Sequence, residues 1–211
     1  MPALLVLAPH PDDLELSAAL LCHRAIELGW TVVEMIMTDG ARGGVDSTVF
    51  GTREHIDRRA SEARAAIQRL GGVTVEMLAL PDGRLAEHRA TAVESVRKQV
   101  EIHRPAIVAL PASCDRHKDH RATHAIGVEA TDGSALTLEY CFWGEDQRQN
   151  LVLHHRSGHD AKLAAIREHQ SQPLDILLPR IGEQGTESFF CAQPEAAVAF
   201  LVDHGFDARQ K

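Results

Sequence analysis

Three residues with chemical potential stand close together in Pro9-His10-Pro11-Asp12-Asp13-Leu14-Glu15. A histidine and a carboxylate can bind a metal ion, while a second carboxylate beside them accepts a proton. The same stretch also fits a reading without chemistry, because Asp12 followed by Glu15 has the spacing of a helix capping box. A second polar cluster, Cys114-Asp115-Arg116-His117-Lys118-Asp119-His120, lies about a hundred residues on. His10, Asp13 and His120 together offer three nitrogen or carboxylate donors, the number a catalytic zinc site uses while one position stays open. His117 precedes His120 by three residues, and Asp119 between them could hold an imidazole in orientation.

These residues need a frame that brings two distant segments together. Ala3 to Ala8 is an apolar run that stops at Pro9 and Pro11, which predicts a buried strand and a sharp loop. Helical spacing follows from Leu14 to Leu28, with Gly29 as the C-terminal cap. Thr31 to Met37 reads as a second strand, followed by Thr38-Asp39-Gly40-Ala41-Arg42-Gly43-Gly44. Glycines there let a backbone approach a ligand, or simply make turns. A flexible connection from Val45 to Thr52 leads to a helix over Arg53 to Leu70, ended by Gly71-Gly72. A strand over Val73 to Leu80 then meets the turn Pro81-Asp82-Gly83. A helix over Ala86 to His103, a strand over Ala106 to Leu110 and a helix over Arg121 to Ala130 complete the regular part.

Strands alternating with helices predict a parallel sheet of right-handed βαβ units. Ligands bind beyond the carboxyl ends of such strands, where both polar clusters fall. The pattern is an α/β fold in one domain, residues 1–211, with a regular βα core over 1–135 and an irregular C-terminal part over 136–211. In that part, Thr137 to Trp143 and Leu151 to His155 read as strands. Asp160 to Gln170 reads as a helix capped by Asp160, Gly182 to Gln193 as loop, and Glu195 to Asp203 as a short helix.

The chain has 211 residues, enough for one well-cored domain, and a net charge of -8 without a basic run. Nucleic acid is therefore not an expected partner. No apolar run approaches the roughly 18 residues of a membrane span. Pro2-Ala3 leads into the first strand without the basic flank of a signal peptide. Cys22, Cys114, Cys141 and Cys191 are scattered without a CxxC pair, which suits a reducing cytoplasm rather than a disulfide framework.

His10-Pro11-Asp12-Asp13 together with Asp115-Arg116-His117-Lys118-Asp119-His120 resembles the LmbE/PIG-L family of zinc-dependent N-deacetylases. Thr38-Asp39-Gly40, Arg59-Ala60-Ser61-Glu62, Leu80-Pro81-Asp82-Gly83, Arg104-Pro105 and the segment from Lys162 through His169-Gln170-Ser171-Gln172 are similar to further family landmarks, in the same order. The resemblance spans about residues 3 to 172. It implies a Rossmann-like, mostly parallel sheet with helices on both faces. It also implies hydrolysis of an N-acetyl group on a small glucosamine-type sugar. On it, His10, Asp13 and His120 bind Zn2+, Asp12 is the general base, and His117 faces the developing oxyanion. His and Asp donors accept other divalent metals as well. A protonated His117, kept cationic by Asp119 or a nearby carboxylate, could donate to the oxyanion and then to the leaving amine. The family also implies a homo-oligomer, a trimer or hexamer.

Arg59 is the foremost substrate-side cation, set against an (i, i+3) helix pair with Glu62. Arg42 in the glycine-rich loop is a second candidate. Asp82 could bond a sugar hydroxyl, or serve the turn alone. Glu187 before Phe189-Phe190 is similar to a late family feature. His154, His155 and His159 read as surface or structural residues, and His124 has no counterpart in the family motif. The chain departs from the pattern in Ser17-Ala18-Ala19, where many members carry a Gly-Gly pair. It also has Lys118 where proline is common, and a short length that implies reduced lid or C-terminal loops. Other readings are an amidohydrolase of another N-acyl amine and a non-catalytic Rossmann-like metal- or nucleotide-binding protein. A dinucleotide site wants G-x-G-x-x-G after the first strand, where this chain has Pro-His-Pro-Asp-Asp.

Overall fold

The computed structural model describes residues 1–144, 146–181 and 185–211. Strands β1 (Ala3–Ala8), β2 (Thr31–Thr38), β3 (Thr74–Leu80), β4 (Ile107–Pro111) and β5 (Leu136–Tyr140) form one parallel sheet in the order β3-β2-β1-β4-β5. All six residues of β1 are buried, because helices cover both faces. Leu4 and Val6 point into a core built with α2 (Ala19–Glu27) and α3 (Arg53–Arg69). Leu5 and Leu7 point the other way, into a core with α4 (Arg89–His103) and α5 (Lys118–Thr131). Burying such a side chain stabilises the fold by roughly 1.5–3 kcal/mol.

The strand order reverses at β1, which pairs with β2 on one side and β4 on the other. Chains leave β1 and β4 toward opposite faces, opening a crevice beyond their carboxyl ends. His10 follows β1 and His120 follows β4, so the topology brings the two polar clusters to one crevice.

The predicted helix over Leu14 to Leu28 is two helices, α1 (Asp13–Ser17) and α2, broken at the buried Ala18 with φ -135° and ψ 14°. Gly29 ends the second at φ 77°, as its type requires. No side chain adjacent in sequence caps α2. Glu187 does so from across the fold, its two oxygens accepting the Leu20 and Leu21 N–H groups at 3.0 Å each. Lys162 Nζ donates to the same carboxylate at 2.7 Å.

The C-terminal third is more regular than its sequence predicts. A three-stranded antiparallel sheet, β7-β6-β8, is built from β6 (Leu151–His154), β7 (Thr186–Phe189) and β8 (Asp207–Gln210). A bridge between Glu139 and Phe190 joins it to the edge of the main sheet. Strand β7 falls in the stretch expected to be loop, whose residues 182–184 lie outside the described residues. Helix α6 (His159–Arg167) starts one residue earlier than expected, with Gly158 rather than Asp160 as its cap residue. Two short helices, α7 (Leu174–Leu177) and α8 (Pro194–Asp203), complete this part. No helix among the described residues is long and apolar enough to cross a membrane.

Candidate active site

Just past β1 the backbone folds back on itself. The His10 N–H donates to Asp13 Oδ2 at 2.8 Å, and His10 Nδ1 lies 3.0 Å from the same oxygen. The other Asp13 oxygen, Oδ1, lies 3.3 Å from His120 Nε2 at the start of α5. Asp13 thus stands between two imidazoles carried by two different loops. The far nitrogen of His120, Nδ1, lies 3.1 Å from Asp115 Oδ2. Asp115 accepts the His117 and Trp143 N–H groups at 2.8 and 3.3 Å, so its carboxylate is fixed and is the acceptor for His120 Nδ1–H.

This arrangement leaves His120 Nε2 buried and without a hydrogen-bond partner among the described residues, while a carboxylate oxygen faces it. A lone pair and an anion at that distance need a positive charge between them. A proton serves in the metal-free protein: burial opposes the His120 cation, but Asp13 and then Asp115 outweigh it and lift its pKa to about 9. A divalent ion serves equally, and ligands of a tetrahedral zinc at about 2.0–2.1 Å stand about 3.3 Å from one another. Asp13 Oδ1 and His120 Nε2 have that spacing, and His10 Nδ1 lies 3.0 Å from the other Asp13 oxygen. Donor atoms of His10, His117 and His120 lie within 4.8 Å of one another, as do those of His10, Asp82 and Asp119.

His10 is held from the far side by two carboxylates. Its Nε2 lies 3.4 Å from Asp82 Oδ1 and 3.5 Å from Asp119 Oδ2. Burial works against the His10 cation, but Asp119, Asp13 and Asp82 overcome it and raise its pKa well above the ordinary value. Asp82 is held down to about 2, against its own burial, mainly by its bond to His10. Asp82 is more than a turn residue, since its Oδ2 also accepts the Arg42 N–H at 2.8 Å. Asp119 accepts the Gly83 and Leu85 N–H groups at 2.6 and 3.2 Å, tying the loop after β3 to α5. The imidazole it steadies is that of His10, not of either histidine in its own motif.

Asp12 makes no capping bond, so the capping-box reading does not hold. Its Oδ1 accepts from Arg59 Nη2 at 2.8 Å, while Arg59 Nη1 donates to the Gly40 carbonyl at 2.7 Å. Arg59 is 2% exposed and pairs with Asp12 rather than with Glu62, which takes Arg58 and Ser171 instead. The glycine-rich loop makes room for this guanidinium. A Cβ at Gly40 or at Gly43 would stand 2.6 Å from Arg59 Nη1, and Gly40 has φ 63° besides.

His117 caps α5, its Nδ1 accepting the Asp119 N–H at 3.3 Å. The neutral ring then carries its proton on Nε2, which makes that nitrogen a donor. Burial, then the neighbouring His10 and His120, lower its pKa, so the expectation that a carboxylate keeps His117 cationic is corrected. Arg42, Lys118, Trp143 and Gln172 line the cleft together with His10, Asp12, Asp13, Arg59, Asp82 and His117. Arg42 and Lys118 are exposed and form no ion pair among the described residues. His124 bonds the Pro111 carbonyl, and His159 accepts the Gly185 N–H, both structural roles. Asp115 is the residue that sequence reasoning did not single out. The signal was there in the first acid of the motif, five residues before His120.

Residues 5–131 match the family model PIG-L, GlcNAc-PI de-N-acetylase. The chain is 27% identical over 194 residues to a diacetylchitobiose deacetylase of Thermococcus kodakarensis, covering 82% of this chain and 71% of that one. Among solved structures it is similar to the N,N'-diacetylchitobiose deacetylase of Pyrococcus horikoshii. The TM-score is 0.72 and the identity 24%, over 89% of this chain and 82% of that one. It is also similar to the 4-carboxy-2-hydroxymuconate hydratase of Pseudomonas putida KT2440. There the TM-score is 0.71 and the identity 20%, over 97% of this chain and 90% of that one. These two structures establish the fold, and a fold shared by a deacetylase and a hydratase does not choose between reactions. The family model, however, covers more than half of the chain, including His10, Asp12, Asp13, Asp115, His117 and His120, and on that match the protein belongs to the PIG-L family.

Proposed function

We propose that this protein hydrolyses the N-acetyl group of a small N-acetylated sugar or glucosamine conjugate, with a divalent metal, zinc foremost, held by His10, Asp13 and His120. The observation that carries the reading is His120 Nε2, buried and unpartnered, facing Asp13 while Asp115 fixes the rest of the ring. Zinc in such a site lowers the pKa of a bound water from 15.7 toward about 7.

The chain's own residues supply the remaining steps. Asp12 lies next to Asp13 in sequence but turns its carboxylate to Arg59, so one acid is left to accept the proton of the attacking water. Arg59 keeps that carboxylate in one orientation. His117 donates its Nε2–H to the amide oxygen as negative charge develops there. The C–N bond breaks as the amine takes the proton that Asp12 accepted from the water, leaving acetate and the free amino sugar. Asp82 and Asp119 steady His10, and Asp115 steadies His120. Arg42 and Lys118 line the cleft and meet the part of the sugar that does not react.

Four free cysteines support a reducing compartment, the cytoplasm. A homo-oligomer, trimer or hexamer, is proposed on the family resemblance and is read by sedimentation. The reaction is tested by screening the zinc-loaded protein against N-acetylglucosamine conjugates and other N-acyl amines, with the released amine as readout and acetate measured for the acetyl substrates. Acetate from the sugar conjugates is expected; release from non-sugar amines alone would replace the substrate class.

A further inference from the structure

A second group of ligand-type side chains lies outside the crevice. His23 and Glu27 sit at positions i and i+4 of α2, on one face of that helix. His155 follows β6. His23 Nδ1 lies 2.8 Å from His155 Nε2, and the two rings are 5.0 Å apart between centroids. Glu27 Oε1 is 3.7 Å from His23 Nδ1, and Glu27 Oε2 is 3.6 Å from His155 Nε2. All three donors lie within 4.8 Å of one another.

The backbone around His155 is fixed. Its N–H donates to the Gly185 carbonyl at 2.7 Å, and its own carbonyl accepts the Gly158 N–H at 3.2 Å. Gly158 keeps the space over the ring pair open. A Cβ there would stand 2.5 Å from His155 Cδ2, 2.9 Å from His155 Nε2 and 3.2 Å from His23 Nδ1. Two neutral imidazoles meeting nitrogen to nitrogen share one proton, with a lone pair on one side of it. Arg24 takes Glu27 Oε2 at 2.9 Å and leaves Oε1 for another cation.

We infer that His23, Glu27 and His155 form a second site for a divalent transition metal such as Zn2+, which pins α2 to the turn after β6. Binding requires the ring that holds the shared proton to carry it on its other nitrogen, so both rings stay neutral and each turns a lone pair to the ion where an N–H···N contact stood. The ligand set, two imidazoles and one carboxylate, is of the kind zinc takes, with a fourth position for water. Nothing in this inference depends on the deacetylase reading, since the two sites share no residue.

The test is equilibrium dialysis of the full chain against buffered Zn2+, with metal per chain measured by elemental analysis. The unaltered chain is expected to hold one more zinc than His155→Gln, whatever the crevice holds. Because His155 is buried, folding of that variant is checked by circular dichroism, and Glu27→Gln, at an exposed side chain, gives an independent reading. Losing a ligand should cost more than losing an orienting partner, which costs about 10–100-fold. The zinc concentration for half-filling of this site should therefore rise by at least about 10-fold in Glu27→Gln. Equal zinc in the unaltered chain and His155→Gln, or an unmoved half-filling point in Glu27→Gln, would overturn the inference.

Discussion

Replacing Arg59 by alanine removes a cation that is almost wholly buried and held at 2.8 Å from Asp12 and 2.7 Å from the Gly40 carbonyl. Asp12, 9% exposed, is then a buried carboxylate without its counter-ion. Breaking a buried pair from one side costs about 3–5 kcal/mol. At about 2–4 °C per kcal/mol for a chain of this size, the melting temperature should fall by about 6–20 °C. Catalysis should suffer through the same contact. If Arg59 works by holding the general base, Arg59→Ala should lower kcat by about 10², part of the roughly 10² to 10⁴ that a general base supplies. In an Asp12→Asn background the same substitution should cost less than about 3-fold, because the group it positions no longer acts as a base. The assay is a double-mutant cycle on kcat and KM with metal-loaded protein, each variant checked for metal content. Losses that multiply, with KM rising more than kcat falls, would refute this reasoning and return Arg59 to direct contact with substrate.

Three further outcomes follow from the same geometry. His120→Ala should lose the crevice metal, because only two protein donors remain; full retention, measured by elemental analysis against His155→Gln, would move the ligand set to another of the histidine and carboxylate groups in the crevice. His117→Ala should keep the metal and lower kcat by about 10²–10³, the scale of one oxyanion donor; loss of metal would make His117 a ligand. The melting temperature of metal-free protein should fall as pH rises through about 9. The folded pKa of His120 is raised above its ordinary 6.5, so its contribution is complete below pH 6.5 and is lost as pH passes the folded value. Zinc-loaded protein should lack that fall, since the ion stands where the proton stood; a scan of melting temperature against pH with and without zinc decides it.

Much of the main sheet could be read in advance, because β1 and β4 are buried apolar runs that end at proline and β2 ends at a glycine-rich polar cluster, whereas the alternating β5 carries less signal. Its order was not read strand by strand, yet the alternation of strands and helices already pointed both polar clusters to one edge. The second sheet was harder to see. Strand β8 has three polar residues in four and buries only Ala208, so it carries no hydrophobic pattern. The break at Ala18 was invisible for a different reason, since alanine is a helix former and only the tertiary cap from Glu187 explains a fresh start there. In the crevice, residue types offered candidate donors, but their partners needed three dimensions. The sequence offers Arg59 as a substrate contact or a partner of Glu62; in the fold it pairs with Asp12 while lining the cleft, which rules out only the helix pair. The glycines of that loop read as room for a ligand or simply as turns, and at Gly40 and Gly43 the room is filled by the Arg59 guanidinium. His117 was expected to be cationic, an expectation that left out the two imidazoles beside it.

The central claim is that a metal in the crevice and the carboxylate of Asp12 together hydrolyse an N-acetyl group. Metal-stripped protein should release no acetate from N-acetylglucosamine conjugates, and turnover should climb with added zinc and level off once the crevice holds one ion per chain. Asp12→Asn should take up the same zinc and turn over about 10² to 10⁴ more slowly. Acetate release by the stripped protein, or an unimpaired Asp12→Asn, would contradict the account.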